Sequence, residues 1–217
     1  MRWTQTLKEL FAGKARGIGE KTEVIFNGYD EDDFSGIIRT KPSVFTISYI
    51  GTLSAAYPVT GFLRAVQDLR AASEEFHLKF VGVVSKEQRE LITEQTGEAS
   101  TEFTGYADHQ TAIRHMLSSS ALLLIIPDHE SSKCIITGKL FEYIASRLPI
   151  ICLGPPDGDA GRILGECGNG KIFTYSDSTG ILQYIRYLMT NPPSVIMQSP
   201  EIFRRDRLTQ KLIKLFK

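Results

Sequence analysis

The sequence predicts an α/β protein in which a single domain is built on a Rossmann-like, doubly wound parallel sheet. Short runs that are apolar at nearly every position alternate along the 217 residues with segments whose apolar residues recur at helical spacing. Strands without polar alternation are typical of a parallel sheet that is covered on both faces. The strand–helix alternation implies right-handed crossovers, which place helices on both sides of such a sheet.

Each element is predicted from the spacing of its apolar residues and from the turn-forming residues around it. The predicted strands are Phe45–Ile50, Leu78–Val84, Thr101–Gly105, Ala121–Pro127, Leu148–Leu153 and Lys171–Tyr175. The predicted helices are Val59–Ala72, Lys86–Thr96, Gln110–Ser119, Gly138–Arg147, Ala160–Cys167 and Ser178–Met189.

The two ends of the chain do not continue this alternation. Near the beginning, Thr22–Phe26 is predicted as a strand that is closed by a turn at Asn27-Gly28 and followed by a polar linker to Pro42. At the other end, Ile202–Lys217 is predicted as one helix with an apolar stripe. We interpret both as the ends of something larger or as docking elements.

Composition and charge exclude several classes of function. The 25 Lys+Arg residues equal the 25 Asp+Glu residues, which argues against non-specific binding of nucleic acid. There is no run of about 18 apolar residues, so no membrane span is expected. The three cysteines and four histidines lack the spacing of a disulfide framework or a metal site, so we expect a reducing cytoplasm and no metal.

The most informative stretch is Pro127 to Leu153, where the end of a buried strand, a polar loop, a helix and the next strand follow one another. Ligands of open parallel sheets bind beyond the carboxyl ends of the strands, which is where this helix begins. Thr137 is a candidate N-cap, and Gly138 lets a ligand approach the backbone closely. The free amides and positive dipole of the helix start suit a phosphate, and Lys139 adds a positive charge.

Glu142 lies three residues beyond Lys139 and hence on the same helix face. Its carboxylate there can accept hydrogen bonds from a sugar diol while Lys139 neutralises a phosphate. The alternative is an ion pair between the two side chains on a surface helix, worth ~0.2–0.5 kcal/mol. Spacing alone leaves both interpretations open.

Two further strand-to-helix junctions carry residues of a similar kind. Gly51 and Thr52 follow the first predicted strand, where small residues let backbone amides approach an anion or simply form a tight turn. Tyr106 and Ala107 follow Thr101–Gly105, where an aromatic side chain can support a planar base or face the core.

Taken in order, these residues resemble the C-terminal, donor-binding half of a GT-B glycosyltransferase, close to family 4, the retaining, glycogen-synthase-like group. The stretches that carry the resemblance are Asn27–Phe34, Ile50–Leu53, Phe103–Tyr106, Lys139–Ile151 and the helix around Phe203–Leu208. This last helix is similar to the one that crosses back toward the first domain of that fold. The resemblance covers about residues 20–217.

The resemblance implies a division of the chain and an activity. Residues 1–42 match a remnant and linker from the first GT-B domain, 43–200 the nucleotide-sugar-binding domain, and 201–217 the crossover helix. The implied activity is transfer of a sugar from a nucleotide diphosphate to a glycan or lipid-linked acceptor hydroxyl, in polysaccharide biosynthesis. The acceptor-binding domain is expected to lie outside this chain, on another segment or a partner subunit.

The resemblance also implies site roles, position by position. Glu142 matches the glutamate that binds the ribose hydroxyls of the nucleotide. Thr137 and Gly138 match the helix start that faces the diphosphate. Lys139 matches there too, as the cation that stabilises charge on the departing diphosphate without a metal cofactor.

The remaining matches concern the other two junctions. Gly51 and Thr52 match the glycine loop beneath the donor phosphates. Tyr106 and Ala107 match the stretch beside the nucleobase.

The sequence departs from the family pattern at three positions. Cys134 stands where the first glutamate of the usual Glu-x7-Glu pair is expected, and Glu130 lies four residues earlier. Thr52 and Thr60 stand where the arginine and lysine beside the glycine loop are expected. An alternative is therefore a non-catalytic nucleotide-binding or protein-interaction module of the same fold.

The terminal helix also carries cations beside its apolar stripe. These cations are Arg204, Arg205, Arg207, Lys211 and Lys214. The pattern allows peripheral contact with anionic lipid, or packing of the stripe onto the domain or a partner.

Overall fold

The computed structural model describes residues 5–14, 17–191 and 201–216, and a parallel sheet lies at its centre. The strands are β1 Phe45–Ile50, β2 Phe76–Val81, β3 Thr101–Gly105, β4 Ala121–Ile125, β5 Ile150–Leu153 and β6 Gly170–Phe173. They form one six-stranded sheet in the order β3-β2-β1-β4-β5-β6, and all five pairings are parallel. This is the strand order of the doubly wound nucleotide-binding fold, so the predicted fold class is confirmed.

The described residues also form nine α-helices. They are α1 Gln5–Ala12, α2 Ile18–Lys21, α3 Thr60–Ala71, α4 Lys86–Thr96, α5 His109–Leu117, α6 Gly138–Ser146, α7 Asp159–Cys167, α8 Ser178–Thr190 and α9 Arg205–Ile213. The six strands predicted between Phe45 and Tyr175 and the helices predicted at α3 to α8 are confirmed, with ends that differ by at most three residues. None of these helices has the length and apolar character that a membrane span requires.

Side-chain caps explain where three of the helices begin. Ser85 accepts a hydrogen bond from the Gln88 amide before α4, and Asp108 accepts one from the Thr111 amide before α5. Asp177 does the same before α8. Each cap satisfies an amide that has no partner inside its helix, which typically contributes about 1 kcal/mol.

The core has one apolar layer on each face of the sheet. In β4, Leu123 and Ile125 pack in the layer under α3 and α8, whereas Leu122 and Leu124 pack in the layer under α5, α6 and α7. All four side chains are buried. Both faces of the strand are therefore covered, which is why its sequence shows no polar alternation.

The prediction of a strand at Thr22–Phe26 is wrong. The segment forms no ladder with a neighbouring strand. Instead its Phe26 side chain packs against two other rings: the centre of the Phe26 ring lies 5.5 Å from that of Phe141 and 5.3 Å from that of Phe203. The turn after this segment uses Gly28 at φ 68°, where a side chain would clash with the Phe203 carbonyl.

The prediction of one helix over Ile202–Lys217 is also wrong. A 310 turn at Glu201–Phe203 comes first, Arg204 is extended with ψ 133°, and α9 and a second 310 turn come after it. Arg204 is extended because it bridges to Tyr29, whose amide donates to the Phe203 carbonyl over 3.0 Å. Lys217 lies outside the described residues.

Four cations of the C-terminal segment pair with acidic side chains of the chain itself. The pairs are Arg204–Glu31, Arg205–Asp30, Arg207–Glu201 and Lys211–Glu23. In the apolar stripe Leu208 is buried, whereas Leu212, Leu215 and Phe216 are exposed. Contact with anionic lipid stays a prediction, and these pairs reduce the positive charge available for it.

Candidate functional site

The strand order reverses between β1 and β4, which creates a crevice at the carboxyl edge of the sheet. The connection from β1 leads away on one side to α3 and the β2–β3 half of the sheet. The connection from β4 leads the other way, through residues 126–137, to α6. Open α/β sheets bind their ligands at such a switch point.

Three glycines end the strands on one side of this crevice. Gly51, Gly82 and Gly105 follow or end β1, β2 and β3, with φ of 116°, 123° and 74°. A Cβ on Gly82 would lie 2.5 Å from the carbonyl oxygen of Gly51, so the two backbones can approach only without a side chain there. Gly82 was not identified from the sequence. The sequence signal that could have identified it is the same as for Gly51, a glycine directly after a buried strand.

Lys139 lies over Gly51. A Cβ built on Gly51 would be 2.5 Å from the Lys139 Nζ. This Nζ also lies 3.1 Å from the Tyr49 hydroxyl and 4.6 Å from the centre of the Tyr49 ring. Burial lowers the pKa of Lys139, and the nearby Glu142 opposes that shift. The structure therefore brings together the start of α6 and the loop after β1, both of which were singled out from the sequence.

Two tyrosines fix α6 against β1, and neither was identified from the sequence. The Tyr49 hydroxyl donates to the Thr52 carbonyl over 2.7 Å, so it accepts from Lys139. The Tyr143 hydroxyl accepts from the Ile50 amide over 2.9 Å and is buried. Burial raises the pKa of both phenols, so both stay neutral hydrogen-bonding groups.

The start of α6 has a backbone arranged for an N-cap, but its side chain does not act as one. Thr137 has φ −79° and ψ 149° and no side-chain hydrogen bond to the helix. Its Oγ1 is buried without a partner among the described residues. Gly138, the first helical residue, is exposed. The first amides of α6 are therefore not capped by the Thr137 side chain.

Glu142 lies one turn into α6 and is half-buried. Burial raises its pKa, and the opposing influences come from His109, Arg205 and Lys139. It does not form the alternative surface ion pair with Lys139, whose Nζ contacts Tyr49 instead. A carboxylate that is costly to bury and that forms no ion pair with the described residues can accept hydrogen bonds from a ligand.

His109 and Asp33 contact each other close to Glu142. The His109 Nε2 lies 2.9 Å from an Asp33 carboxylate oxygen. This hydrogen bond raises the pKa of His109. Asp33 belongs to the 310 turn Asp32–Phe34 and His109 opens α5, so the contact joins the segment before β1 to α5. No sequence signal pointed to it, because the two residues are far apart in the chain.

Tyr106 points away from the core, and the alternative of a core-facing side chain is wrong. Its exposed fraction is 84%, whereas Ala107 packs partly against the core layer beneath α5 and α6. Thr52 is exposed after β1, and its carbonyl holds Tyr49. Tyr106 and Thr52 are therefore accessible at the carboxyl edge.

The loop between β4 and α6 carries one of the departures from the family pattern, Cys134. Ser132 braces it: its hydroxyl donates to the Pro127 carbonyl and accepts from the His129 amide, both over 2.6 Å. Cys134 is half-buried at the end of the 310 turn Ser132–Cys134, and Glu130 is exposed. The described residues contain no group of three or more His, Cys, Asp or Glu side chains placed for a metal. That the reaction needs no metal stays a prediction.

The sequence matches a known protein family. Residues 44–191 match the model of the family described as glycosyl transferases group 1, and the chain belongs to this family. Among curated proteins, no sequence matches the chain significantly.

Solved structures with the same fold include two glycosyltransferases and a protein that was solved with UDP. A glycosyltransferase from Rickettsia africae is similar with a TM-score of 0.79 at 15% identity, over 99% of this chain and 61% of that one. HepE (Alr3699) of Anabaena in complex with UDP has a TM-score of 0.76 at 16% identity, over 98% and 62%. The apo lipopolysaccharide outer core galactosyltransferase WaaB has a TM-score of 0.74 at 15% identity, over 99% and 60%. The chain spans less than two thirds of the length of these proteins, and the likeness shows that it has the same fold as the part it covers.

Proposed function

We propose that the chain is the donor-binding half of a glycosyltransferase and binds a nucleotide diphosphate sugar at the switch point. The observation that carries the proposal is the position of Lys139, over Gly51 and at the uncapped start of α6. A diphosphate between Gly51 and Gly138 would meet a glycine without a side chain, free helix amides and one cation.

Glu142 is proposed to bind the ribose hydroxyls. It lies one turn beyond Lys139, it is half-buried, and burial raises its pKa. Hydrogen bonds from a diol would compensate a carboxylate that has lost part of its hydration. Tyr106 and Ala107, at the end of β3, are proposed to lie beside the nucleobase.

The transfer step is proposed to use Lys139 as its catalytic cation. Negative charge develops on the nucleotide diphosphate as the sugar leaves. Lys139 is already held by Tyr49, so it needs little reorganisation when the charge appears. The same proposal includes the type of reaction and its acceptor. The reaction would be family 4-like and retaining, would need no metal and would take place in the cytoplasm. Its acceptor would be a glycan or a lipid-linked acceptor of polysaccharide biosynthesis. The acceptor site would come from a further segment or a partner subunit.

The fold of the relatives supports UDP as the first nucleotide to test, because HepE was solved with UDP and with UDP-glucose. Calorimetric titration with UDP, GDP and ADP is expected to show saturable binding of one of them. The Lys139→Ala and Glu142→Gln variants should each weaken that binding by ~1–3 kcal/mol, the range for removing charged hydrogen-bond partners.

A matched pair of control variants is available at the other edge of the sheet. Arg70 and Glu94 are exposed in the last turns of α3 and α4, so Arg70→Ala and Glu94→Gln remove the same charges away from the crevice. Both controls should leave nucleotide affinity unchanged. Equal affinities in the wild type, Lys139→Ala and Glu142→Gln would contradict the site.

The second candidate is a nucleotide-binding module without transfer activity. Cys134 favours it, because a half-buried thiol replaces the carboxylate that the family pattern places in the loop before α6. Nucleotide binding together with no turnover of the sugar conjugate, even with the acceptor-binding half added, would support this module. Turnover under those conditions would support the transferase.

A further inference from the structure

A cavity of about 260 Å³ lies at the end of α6 that is remote from the crevice. Side chains of the linker, α5 and α6 form its apolar wall: Tyr29, Phe34, Ile37, Leu117 and Ala145. The nine residues of α6 rise about 1.5 Å each, so its two ends are roughly 13 Å apart. The cavity shares no lining residue with the proposed nucleotide site, so a ligand bound in it would not depend on the proposed function.

Two arginines line this cavity. Arg39 and Arg147 are both exposed, and neither guanidinium forms a hydrogen bond or ion pair with another described residue. The carboxylate of Glu31 also lines the cavity, but it is paired with Arg204. The cavity thus combines an apolar wall with two positive charges that the described part of the chain does not neutralise.

Arg147 occupies a backbone conformation that favours glycine. It ends α6 in the left-handed region, with φ 57° and ψ 22°. Helices commonly place glycine at this position because a side chain is strained there. An arginine at this point keeps a guanidinium beside the cavity in spite of that strain. Its guanidinium bonds to none of the described residues, so none of them competes with a ligand for it.

We propose that the cavity binds a phosphate monoester that carries a compact apolar group. A phosphate monoester has between one and two negative charges near neutral pH, which matches the two free guanidinium groups. The apolar wall would cover the attached group. The volume lies just below the usual range for small-molecule pockets, about 300–1,000 Å³, which favours a group of the size of one aromatic ring.

The test is a titration of the full chain with phenyl phosphate, monitored by NMR of the methyl groups of Leu117 and Ala145. Saturable shifts of these methyls are expected, with a dissociation constant of about 1 mM for a ligand of this size. Inorganic phosphate lacks the ring and phenylacetate has a single charge, so both are expected to bind at least tenfold more weakly. The shifts should persist in the Lys139→Ala variant, because the crevice is a different site.

Variants of the two arginines decide the outcome. Arg147→Gly and Arg39→Gln are each expected to weaken phenyl phosphate binding at least tenfold, and glycine suits the backbone at position 147. Arg64→Gln, an exposed arginine on α3, serves as the matched control and should change nothing. No saturable shift in the wild type, unchanged affinity in either arginine variant, or equal binding of inorganic phosphate or phenylacetate would overturn the proposal.

Discussion

The Lys139 Nζ lies 3.1 Å from the hydroxyl oxygen of Tyr49 and 4.6 Å from the centre of its ring. One residue comes from α6 and the other from β1, the helix and strand that border the crevice. Lys139 is thereby held over Gly51 by the protein itself. This contact places a cation at the switch point before a substrate arrives.

A Tyr49→Phe variant tests whether this contact prepares the site. The change keeps the ring but removes the acceptor for Lys139 and the donor to the Thr52 carbonyl. We expect nucleotide affinity to fall by about 0.5–1.5 kcal/mol, the usual contribution of one hydrogen bond. Calorimetry measures it, with Tyr187→Phe on the exposed face of α8 as the control. Wild-type affinity in Tyr49→Phe would mean that the contact has no role in binding.

A Tyr143→Phe variant tests how α6 is fixed to the sheet. The Tyr143 hydroxyl is buried and accepts from the Ile50 amide, which would be left without this partner. We expect the free energy of unfolding to fall by about 1–3 kcal/mol. Urea denaturation measures it, and Tyr187→Phe should lose much less. Equal losses in the two variants would contradict the role of this hydrogen bond.

The contact between His109 and Asp33 predicts a pH dependence. The hydrogen bond to Asp33 raises the pKa of His109 in the folded chain above the value of about 6.5 in the unfolded chain. The stability that this hydrogen bond contributes to the fold is therefore complete below about pH 6.5 and is lost as the pH rises through the pKa of His109 in the folded chain. The wild type should exceed Asp33→Asn in stability at pH ~6 by more than at pH ~9.

Two measurements check this pH dependence. NMR titration of the His109 ring should give a pKa above its ordinary value in the wild type and a lower one in Asp33→Asn. Urea denaturation of both chains at the two pH values gives the stability difference. A difference that is the same at both pH values, or that grows with pH, would contradict the pairing.

Gly82→Ala tests the close approach of two backbones beneath the site. The substitution adds a Cβ 2.5 Å from the Gly51 carbonyl oxygen, at a φ of 123° that side chains rarely adopt. We expect a loss of about 1–3 kcal/mol in unfolding free energy. Gly165→Ala is the matched control, because its Cβ would meet nothing within 4 Å inside α7. That control should be stabilised by up to about 1 kcal/mol. Equal effects would contradict the close approach.

Arg147→Gly should stabilise the chain even where it weakens ligand binding. Glycine adopts the left-handed conformation at φ 57° without strain, although it also makes the unfolded chain more flexible. The net gain in unfolding free energy is expected to be about 0.5–1 kcal/mol. Urea denaturation measures it, and a loss of stability would show that the arginine supports the fold.

The sequence predicted the sheet and its flanking helices because their signals are local. A buried strand such as β4 is apolar at every position, and a helix such as α4 shows its period and its Ser85 cap within a dozen residues. The switch point could be inferred from the same order of elements. Lys139 and Glu142 were found because both lie on one short helix after a strand.

The features that could not be predicted depend on residues that are distant in the chain. The prediction of a strand at Thr22–Phe26 was wrong because a strand needs the edge of a neighbouring strand to pair with. Apolar residues in the sequence alone do not supply that edge. Tyr49 and Tyr143 resembled ordinary core residues until their hydroxyl partners were placed. The contact of His109 with Asp33 joins the first residue of α5 to a 310 turn before β1, and the two stretches carry no shared motif. Such contacts are defined by tertiary packing.

The most direct test of the proposed donor site is a crystal structure of the chain with UDP, or with whichever diphosphate binds by calorimetry. We expect the diphosphate between Gly51 and the first turn of α6, within hydrogen-bonding distance of the Gly138 and Lys139 amides. The ribose hydroxyls should then lie within hydrogen-bonding distance of the Glu142 carboxylate. A nucleotide bound elsewhere on the chain, or one that leaves Lys139 and Glu142 without contact, would contradict the proposed site.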